Sequence, residues 1–370
     1  MQALKKLLLF LAWSVNIFFV AAFLVPNRGN PNVHSVLALS LVVLVWIYLI
    51  TAIHEAGHFL AARLARFRVF RLAIGPLSID FQKPLPRVTF KLLSNNPYQN
   101  LGHVLAIPND DRNLKSRFLL LYAGGPLAHT FALLCALAAT VLANDTVSLT
   151  VAYLARGALI ASAGLFLLEL IPVKSSDCSK ILKLMFSRTI SRPIAIATLT
   201  GQSMSGVRPR DWSKALVSLL SSVADKTEES ALSHLLEYYH ALDSQAFQAA
   251  CEHLADGQAC EIKKNNVLVS TFSNEAAYVS ALRGDVSSAH SLLSNADSSL
   301  HQHSLLRTKA AIAFAEGNIP QAQDYAQQSL QTQSECIDKG WLIAERELLI
   351  EILRHGERAS QSGWVSDQRS

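Results

Sequence analysis

The sequence HEAGH at residues 54–58 carries the clearest chemistry in the chain. His54 and His58 lie one helical turn apart, so both can bind one zinc ion, and Glu55 between them can act as a general base. The motif lies near the end of an apolar stretch at about 36–64. A membrane-spanning helix needs about 20 apolar residues. A zinc-hydrolase motif inside such a helix points to hydrolysis of peptide bonds within a membrane.

Composition separates the chain into a basic half and an acidic half. The 370 residues are 51% hydrophobic and 16% charged, and the mean hydropathy is +0.26. Residues 1–210 carry 21 Lys/Arg and 7 Asp/Glu, whereas residues 211–370 carry 12 and 21. The basic excess follows the positive-inside rule of membrane proteins, so we expect no nucleic-acid partner. The five cysteines form no Cys-x-x-Cys pair; Cys135 falls in an apolar stretch, and the other four are expected to be free thiols in a reducing compartment.

Four apolar stretches are candidate membrane spans, at about 7–25, 36–64, 118–143 and 149–171. The first is long for a signal peptide and lacks a convincing cleavage site, so we expect a retained helix. Arg156 in the fourth stretch either reaches an interface or precedes a span that begins at Gly157.

Basic residues flank these stretches unevenly. Lys and Arg are frequent between the second and third stretches and after the fourth, whereas the connections 27–35 and 144–148 carry only Arg28. Basic loops stay in the cytoplasm, so both termini and the middle segment are expected there. We predict a multi-pass protein in contact with the lipid bilayer of a bacterial inner membrane.

The middle segment, residues 66–115, contains short runs typical of β-strands, at 68–74, 77–81 and 87–92. A hairpin lying against the membrane near the metal could accept an extended substrate by strand addition. Periodicity alone is equally compatible with a surface loop.

Two histidines are too few for a catalytic zinc, which usually has three protein ligands and one open position. Glu169 and Asp177 lie at the end of the fourth stretch, on either side of Pro172, which would break a helix there. Irregular backbone at membrane depth is tolerated where it lines a cavity, and an acidic residue there indicates a functional site. Either carboxylate could complete the zinc site.

Together these elements resemble the site-2 protease family of intramembrane zinc metalloproteases. Its members carry HExxH on a membrane helix and a later Asn-x-x-Pro-x-x-x-x-Asp-Gly segment, whose spacing Pro172 and Asp177 match. GGPLA at 124–128 resembles the family's Gly-Gly-Pro-x-Ala element, and LGHV at 101–104 resembles its Gly-Gly-Tyr-Val element. The four elements occur in the family's order over roughly residues 1–210.

The resemblance implies one Zn²⁺ per chain, held by His54, His58 and Asp177, with a water activated by Glu55. It also implies a membrane-protein substrate, often with a single span, whose helix must unwind locally before cleavage. This chemistry is that of regulated intramembrane proteolysis.

Three positions depart from the family pattern. Glu169 and His129 each stand where the family usually has asparagine, and Cys178 stands where it has glycine. The resemblance implies substrate contacts at Glu169, Gly125 and Pro126, although an ionised glutamate only accepts hydrogen bonds. We expect His129 to be a hydrogen-bonded structural histidine rather than a ligand.

The acidic half is predicted to be a soluble helical domain, residues 212–370, joined by a linker at 191–211. Glycine and alanine recur 33 residues apart, as Gly284 with Gly317 and Ala289 with Ala322, which resembles a tetratricopeptide helical-repeat array. A generic helical bundle is the alternative. Repeat arrays bind peptides or partner proteins, so the tail is expected to have an unidentified protein partner.

The sequence therefore predicts a mainly α protein, with a membrane-embedded metalloprotease domain at 1–190, a small β-rich cytoplasmic loop and a tetratricopeptide-like tail. The leading function is an intramembrane zinc metalloendopeptidase. The alternative is a catalytically inactive membrane scaffold whose tail recruits a partner. A metal transporter or sensor is disfavoured, because the candidate spans carry few other polar residues.

Overall fold

The computed structural model describes residues 33–82, 85–90, 102–142, 149–171, 176–187, 189–221, 225–263, 267–296, 300–333 and 336–361. These residues are mostly helical and include a small antiparallel sheet, as predicted. The chain divides into two compact units. The first comprises Met1–Pro108 and Arg112–Ile190, and the second comprises Asn109–Asp111 and Ser191–Ser370. The predicted first span and Pro172 lie outside the described residues.

The described residues of the first unit include four helices: α1 (Val33–Leu64), α2 (Leu114–Leu142), α3 (Leu149–Leu170) and α4 (Asp177–Phe186). Among the described residues, two helical segments are long and apolar enough to cross a membrane, Val45–Leu64 and Leu114–Val141. They belong to the predicted second and third spans. Helix α3 coincides with the predicted fourth, and its end, Ala161–Leu170, is a shorter apolar helix. The four-span topology stays a prediction.

Small residues allow α1 and α2 to pack very closely. A Cβ placed on Gly57 would lie 2.3 Å from the carbonyl oxygen of Gly124 and 2.5 Å from the Cβ of Ala128. A Cβ on Gly124 would lie 2.5 Å from the Cβ of Ala61. Small residues four positions apart on facing helices let two backbones approach, as they do in membrane helix pairs. This contact explains the Gly124 and Ala128 positions of the Gly-Gly-Pro-x-Ala element and holds α2 beside the HEAGH motif.

The middle segment forms a four-stranded antiparallel sheet in the order β3-β2-β1-β4. Its strands are β1 (Phe67–Ile74), β2 (Leu77–Asp80), β3 (Arg87–Phe90) and β4 (His103–Pro108). The strand interpretation of the three alternating runs is confirmed, and the surface-loop alternative is wrong. Strand β4, which follows Gly102, was not predicted from the sequence.

The second unit consists of helices that pack largely in consecutive pairs. They are α5 (Arg192–Met204), α6 (Lys214–Leu220), α7 (Glu228–Asp243), α8 (Phe247–Gln258), α9 (Val267–Leu282), α10 (Val286–Ser294), α11 (Gln302–Ala315), α12 (Ile319–Thr332) and α13 (Lys339–Gln361). A short 3₁₀ helix, Pro209–Asp211, precedes α6.

Two of the helical hairpins repeat the same local structure after 33 residues. Gly284 and Gly317 occupy the turns with φ of 77° and 76°, a left-handed conformation that glycine adopts without steric cost. The next residues, Asp285 and Asn318, cap the following helices through their side chains. These features fit the predicted 33-residue period, while the tetratricopeptide assignment stays a prediction.

The segment predicted as a linker, 191–211, differs from an extended connection. Its first part is helix α5, in which most residues are buried, among them Ile194, Ala195 and Leu199. Arg192 at its start forms ion pairs with Asp225 and Glu229 of the same unit. The apolar spacing of these residues along one helical face therefore makes α5 part of the helical unit.

Candidate metal centre

Helix α1 places three polar side chains of the HEAGH motif inside the first unit. His54 and His58 lie four residues apart and project from one face, with Glu55 between them in sequence. Glu55 is 7% exposed and His58 is 8% exposed, although both belong to a helix made almost entirely of apolar residues. Burying such groups costs free energy unless they are paired or bind a metal, so their position indicates a site.

The first residue of α4 completes the group. Ser176 caps this helix by accepting a hydrogen bond from the backbone N–H of Ser179, which places Asp177 in the first turn. Oδ2 of Asp177 lies 3.0 Å from Nε2 of His58 and 3.4 Å from Nε2 of His54. The two Nε2 atoms lie 3.0 Å apart. The structure therefore brings together the three residues that the sequence analysis selected as metal ligands.

The spacing of these three atoms fits a zinc ion. Zinc binds nitrogen and carboxylate oxygen at about 2.0–2.2 Å with tetrahedral angles, which places neighbouring ligand atoms about 3.3 Å apart. The observed separations of 3.0, 3.0 and 3.4 Å lie close to that value. Three protein ligands leave the fourth position open, as in catalytic rather than structural zinc sites.

Neighbouring groups fix how two of the ligands face the site. Nδ1 of His58 lies 2.7 Å from the carbonyl oxygen of Leu121. A carbonyl only accepts hydrogen bonds, so Nδ1 carries the hydrogen and Nε2 keeps a free lone pair for a metal. Lys180 donates to Oδ1 of Asp177 at 3.0 Å, one turn along α4, and leaves Oδ2 for the metal.

The ionisation state of Asp177 also suits a ligand. Burial alone would raise the pKa of this carboxyl. Contacts with the imidazoles of His54 and His58, together with the charge of Lys180, outweigh burial and hold the pKa of this carboxyl below its usual range. The carboxylate is therefore the form that faces the histidines.

Gly125 shapes the cavity between the ligands. A Cβ built on Gly125 would lie 2.4 Å from Nε2 of His58 and 2.5 Å from Nε2 of His54. The missing side chain thus leaves space beside the two nitrogens that would bind zinc. Gly125 therefore lies in the wall of the candidate metal site. A substrate contact of Gly125 or of its neighbour Pro126 stays a prediction.

Gly102 lies against the candidate general base. It adopts φ of +124°, and a Cβ there would lie 2.8 Å from Cγ and Oε1 of Glu55. The other carboxylate oxygen of Glu55, Oε2, is buried and has no hydrogen-bond partner among the described residues. A buried carboxylate oxygen without a partner is costly unless water or a substrate group reaches it. The arrangement is that expected of a proton acceptor beside a reaction site.

Glu169 and His129, the two departures from the family pattern, lie together behind His54. Oε1 of Glu169 lies 3.0 Å from Nδ1 of His54 and 3.0 Å from Nδ1 of His129. His129 is fully buried, and its Nε2 donates to the carbonyl oxygen of Ser162 at 3.0 Å. A metal-binding histidine commonly contacts a carboxylate through its second nitrogen, which fixes its orientation. These contacts explain why the two residues occur together.

His54, His129 and Glu169 also form a group that could hold a metal by themselves. That group would use Nδ1 of His54, whereas the first group uses Nε2 of the same ring. One imidazole can serve both groups when Nε2 binds the metal and Nδ1 contacts Glu169. Cys178 lies beside Asp177 in sequence but belongs to none of the metal-binding groups among the described residues.

We expect Glu169→Gln to weaken zinc binding by about 10–100-fold, the usual cost of losing a carboxylate behind a metal-binding histidine. The substitution keeps the shape of the side chain but removes its charge from His54. Zinc affinity, measured by competition with a chromogenic chelator, checks the change. His129 acts through the same contact. The double variant His129→Asn/Glu169→Gln should therefore lose less zinc-binding free energy than the two single variants lose together. An unchanged affinity in Glu169→Gln would show that the contact does not orient His54.

Comparison with known proteins gives one match. The model of peptidase family M50 matches residues 42–299, which include the ligand candidates and part of the helical unit. No curated protein and no solved structure matches the chain.

Proposed function

The chain belongs to peptidase family M50, the site-2 protease family, and we propose that it is an intramembrane zinc metalloendopeptidase. Members of this family are membrane-associated zinc metalloproteases. The proposed reaction is hydrolysis of a peptide bond in or near a transmembrane segment of a membrane protein. The observation that carries the proposal is the convergence of His54, His58 and Asp177 at zinc spacing, with Glu55 buried beside them.

The residues divide into ligands and a base. His54, His58 and Asp177 would hold the zinc ion through Nε2, Nε2 and Oδ2. Zinc bound there would supply a Lewis acid that polarises a carbonyl and lowers the pKa of a water molecule. Glu55 would accept the proton of the attacking water and then transfer it to the leaving amine. Glu169 would keep His54 oriented, supported by His129.

Strand β4 offers a place for the substrate backbone. Among the described strands it lies at one edge of the sheet, and the residue before it, Gly102, lies against Glu55. An unwound substrate segment that paired with the outer edge of β4 would run past the candidate base in extended form. Extended backbone is what a peptidase needs, because a helical peptide bond is shielded by its own turn.

The remaining assignments belong to the same proposal. Residues 1–190 would be the membrane-embedded protease domain, with four spans and both termini in the cytoplasm of a bacterium. Residues 212–370 would form a tetratricopeptide-like domain that binds a peptide or partner protein, as the two matched hairpins suggest. The competing function is a catalytically inactive scaffold that uses only this domain.

Mapping of protein cleavage in membranes distinguishes the proposed peptidase from the catalytically inactive scaffold. New protein N-termini would be mapped in membranes of cells that express the wild-type chain or Glu55→Gln. We expect termini inside or beside predicted transmembrane segments with the wild-type chain alone, and their loss when 1,10-phenanthroline removes zinc. Identical sets of termini in the two membranes would favour the scaffold.

A further inference from the structure

A second group of metal-binding side chains lies in the helical unit. His234 and Glu237 lie three residues apart on α7, and His253 lies on α8, which packs against α7. One nitrogen from each imidazole and one oxygen from the carboxylate lie within 4.8 Å of one another. None of these residues belongs to the motifs of the first unit.

The distances in this group resemble those of the candidate catalytic centre. Nδ1 of His234 lies 3.1 Å from Oε2 of Glu237, and Nδ1 of His253 lies 3.4 Å from the same oxygen. Ligand atoms of a tetrahedral zinc site lie about 3.3 Å apart. Both nitrogens thus lie near this spacing from one carboxylate oxygen, and all three atoms lie within 4.8 Å of one another.

Glu237 has the environment of a metal ligand. It is 3% exposed, and its Oε1 accepts a hydrogen bond of 2.6 Å from the hydroxyl of Ser221. Among the described residues, no lysine or arginine forms an ion pair with it. A buried carboxylate is costly without a compensating positive charge. Ser221 leaves Oε2 for the two histidines, so a cation bound at Oε2 would supply that charge.

Helix packing builds this geometry. Gly257 follows His253 by one turn of α8, and a Cβ there would lie 2.4 Å from the ring of Phe272 and 3.2 Å from Cβ of His234. The glycine thus lets α8 approach α7 at the level of the histidines. The side chains of His234 and His253 are 22% and 31% exposed, so an ion and its remaining water ligands have access.

We propose that His234, Glu237 and His253 bind a divalent transition-metal ion, with zinc as the expected occupant, and that this ion ties α7 to α8. Two imidazoles with one carboxylate suit zinc, whereas magnesium and calcium require oxygen ligands. The site raises the expected content from one zinc ion per chain to two. It does not depend on the proposed peptidase activity.

Zinc content of the full chain in detergent tests the site. Each chain would be stripped with EDTA, returned to Zn²⁺ and measured by mass spectrometry of the metal. In Asp177→Ala, which removes a ligand of the first site, we expect one zinc ion to remain. Adding His253→Gln should remove it, and Zn²⁺ should raise the melting temperature of Asp177→Ala but not of the double variant. His290→Gln is the matched control, because His290 is exposed and pairs with a single carboxylate, Glu316, among the described residues.

Each outcome separates the two sites. The second site would be overturned if Asp177→Ala held no zinc. It would also be overturned if zinc persisted in the double variant Asp177→Ala/His253→Gln. A wild-type chain with one ion that is lost in His253→Gln would support the second site and contradict the first. Ser221→Ala provides a milder change that preserves all ligands, and we expect it to weaken this zinc by about 10–100-fold. Unchanged affinity in Ser221→Ala, together with zinc retained in the double variant Asp177→Ala/His253→Gln, would assign the cluster to ordinary hydrogen bonding.

Discussion

Replacing Glu55 by glutamine should lower peptide-bond hydrolysis by about 10²–10⁴-fold while leaving zinc bound. This range is what a positioned general base contributes, and the amide keeps the size of the side chain but cannot accept a proton. Glu55 is not a ligand, and its Oε2 is buried without a hydrogen-bond partner among the described residues. Initial rates on a reconstituted substrate found by N-terminus mapping, together with zinc content, check the result.

Thr51→Val is the matched control for this substitution. Thr51 lies one turn before Glu55 on α1, and its hydroxyl donates only within the helix, to the carbonyl oxygen of Ile47. We expect hydrolysis near the wild-type rate. A Glu55→Gln chain that retains full activity would remove Glu55 from the mechanism, and one that loses zinc would show a structural role instead.

Replacing Gly125 by alanine should abolish zinc binding at the first site although no ligand is removed. The new methyl group would lie 2.4–2.5 Å from the Nε2 atoms of His58 and His54. Both imidazoles would have to move by more than the tolerance of about 0.2 Å on metal–ligand distances. The zinc content of the full chain, compared with wild type, should therefore fall by one ion, and hydrolysis should be lost with it.

Leu127→Ala is the control for the glycine substitution. Leu127 is exposed on the same helix, two residues further along, and its truncation is a larger change in side-chain volume. We expect unchanged zinc content in this variant. Normal zinc content in Gly125→Ala would show that the glycine does not limit the space beside the ligands and would weaken the assignment of the site.

The two histidine candidates of the metal centre could be predicted from the sequence because their signal is local. Two histidines four residues apart must share a helix face. The choice between Glu169 and Asp177 as third ligand rested on resemblance, because no local rule fixes how α3 and α4 meet α1. The structure gives each carboxylate its own place, with Asp177 at the Nε2 atoms and Glu169 at Nδ1 of His54.

Other features depend on contacts between distant segments, which periodicity does not reveal. His129 and Glu169 are 40 residues apart in the chain, and they become a unit only when α2 packs against α3. Gly102 faces Glu55 because the start of β4 lies against α1. His234, Glu237 and His253 give no recognised motif, although the spacing of His234 and Glu237 on α7 was a detectable signal.

The predicted linker, 191–211, differs from the structure for another physical reason. Pro209, Gly206 and several serines predict a connection, whereas the first part of the segment is helix α5. Turn-forming residues indicate where a helix ends, and here they follow the helix. The apolar residues at 194, 195 and 199 decide the outcome, because burial of a helical face outweighs the low helix propensity of neighbouring residues.

A zinc ion held by His54, His58 and Asp177 is central to the proposed peptidase, and the most direct measurement of it is the zinc content of the full chain carrying Asp177→Ala. We expect the loss of one zinc ion per chain relative to wild type. Asp80→Ala, a carboxylate of the same unit that lies in the sheet and pairs with Arg71, should lose none. Undiminished zinc in Asp177→Ala would contradict the three-ligand site and, with it, the proposed peptidase mechanism.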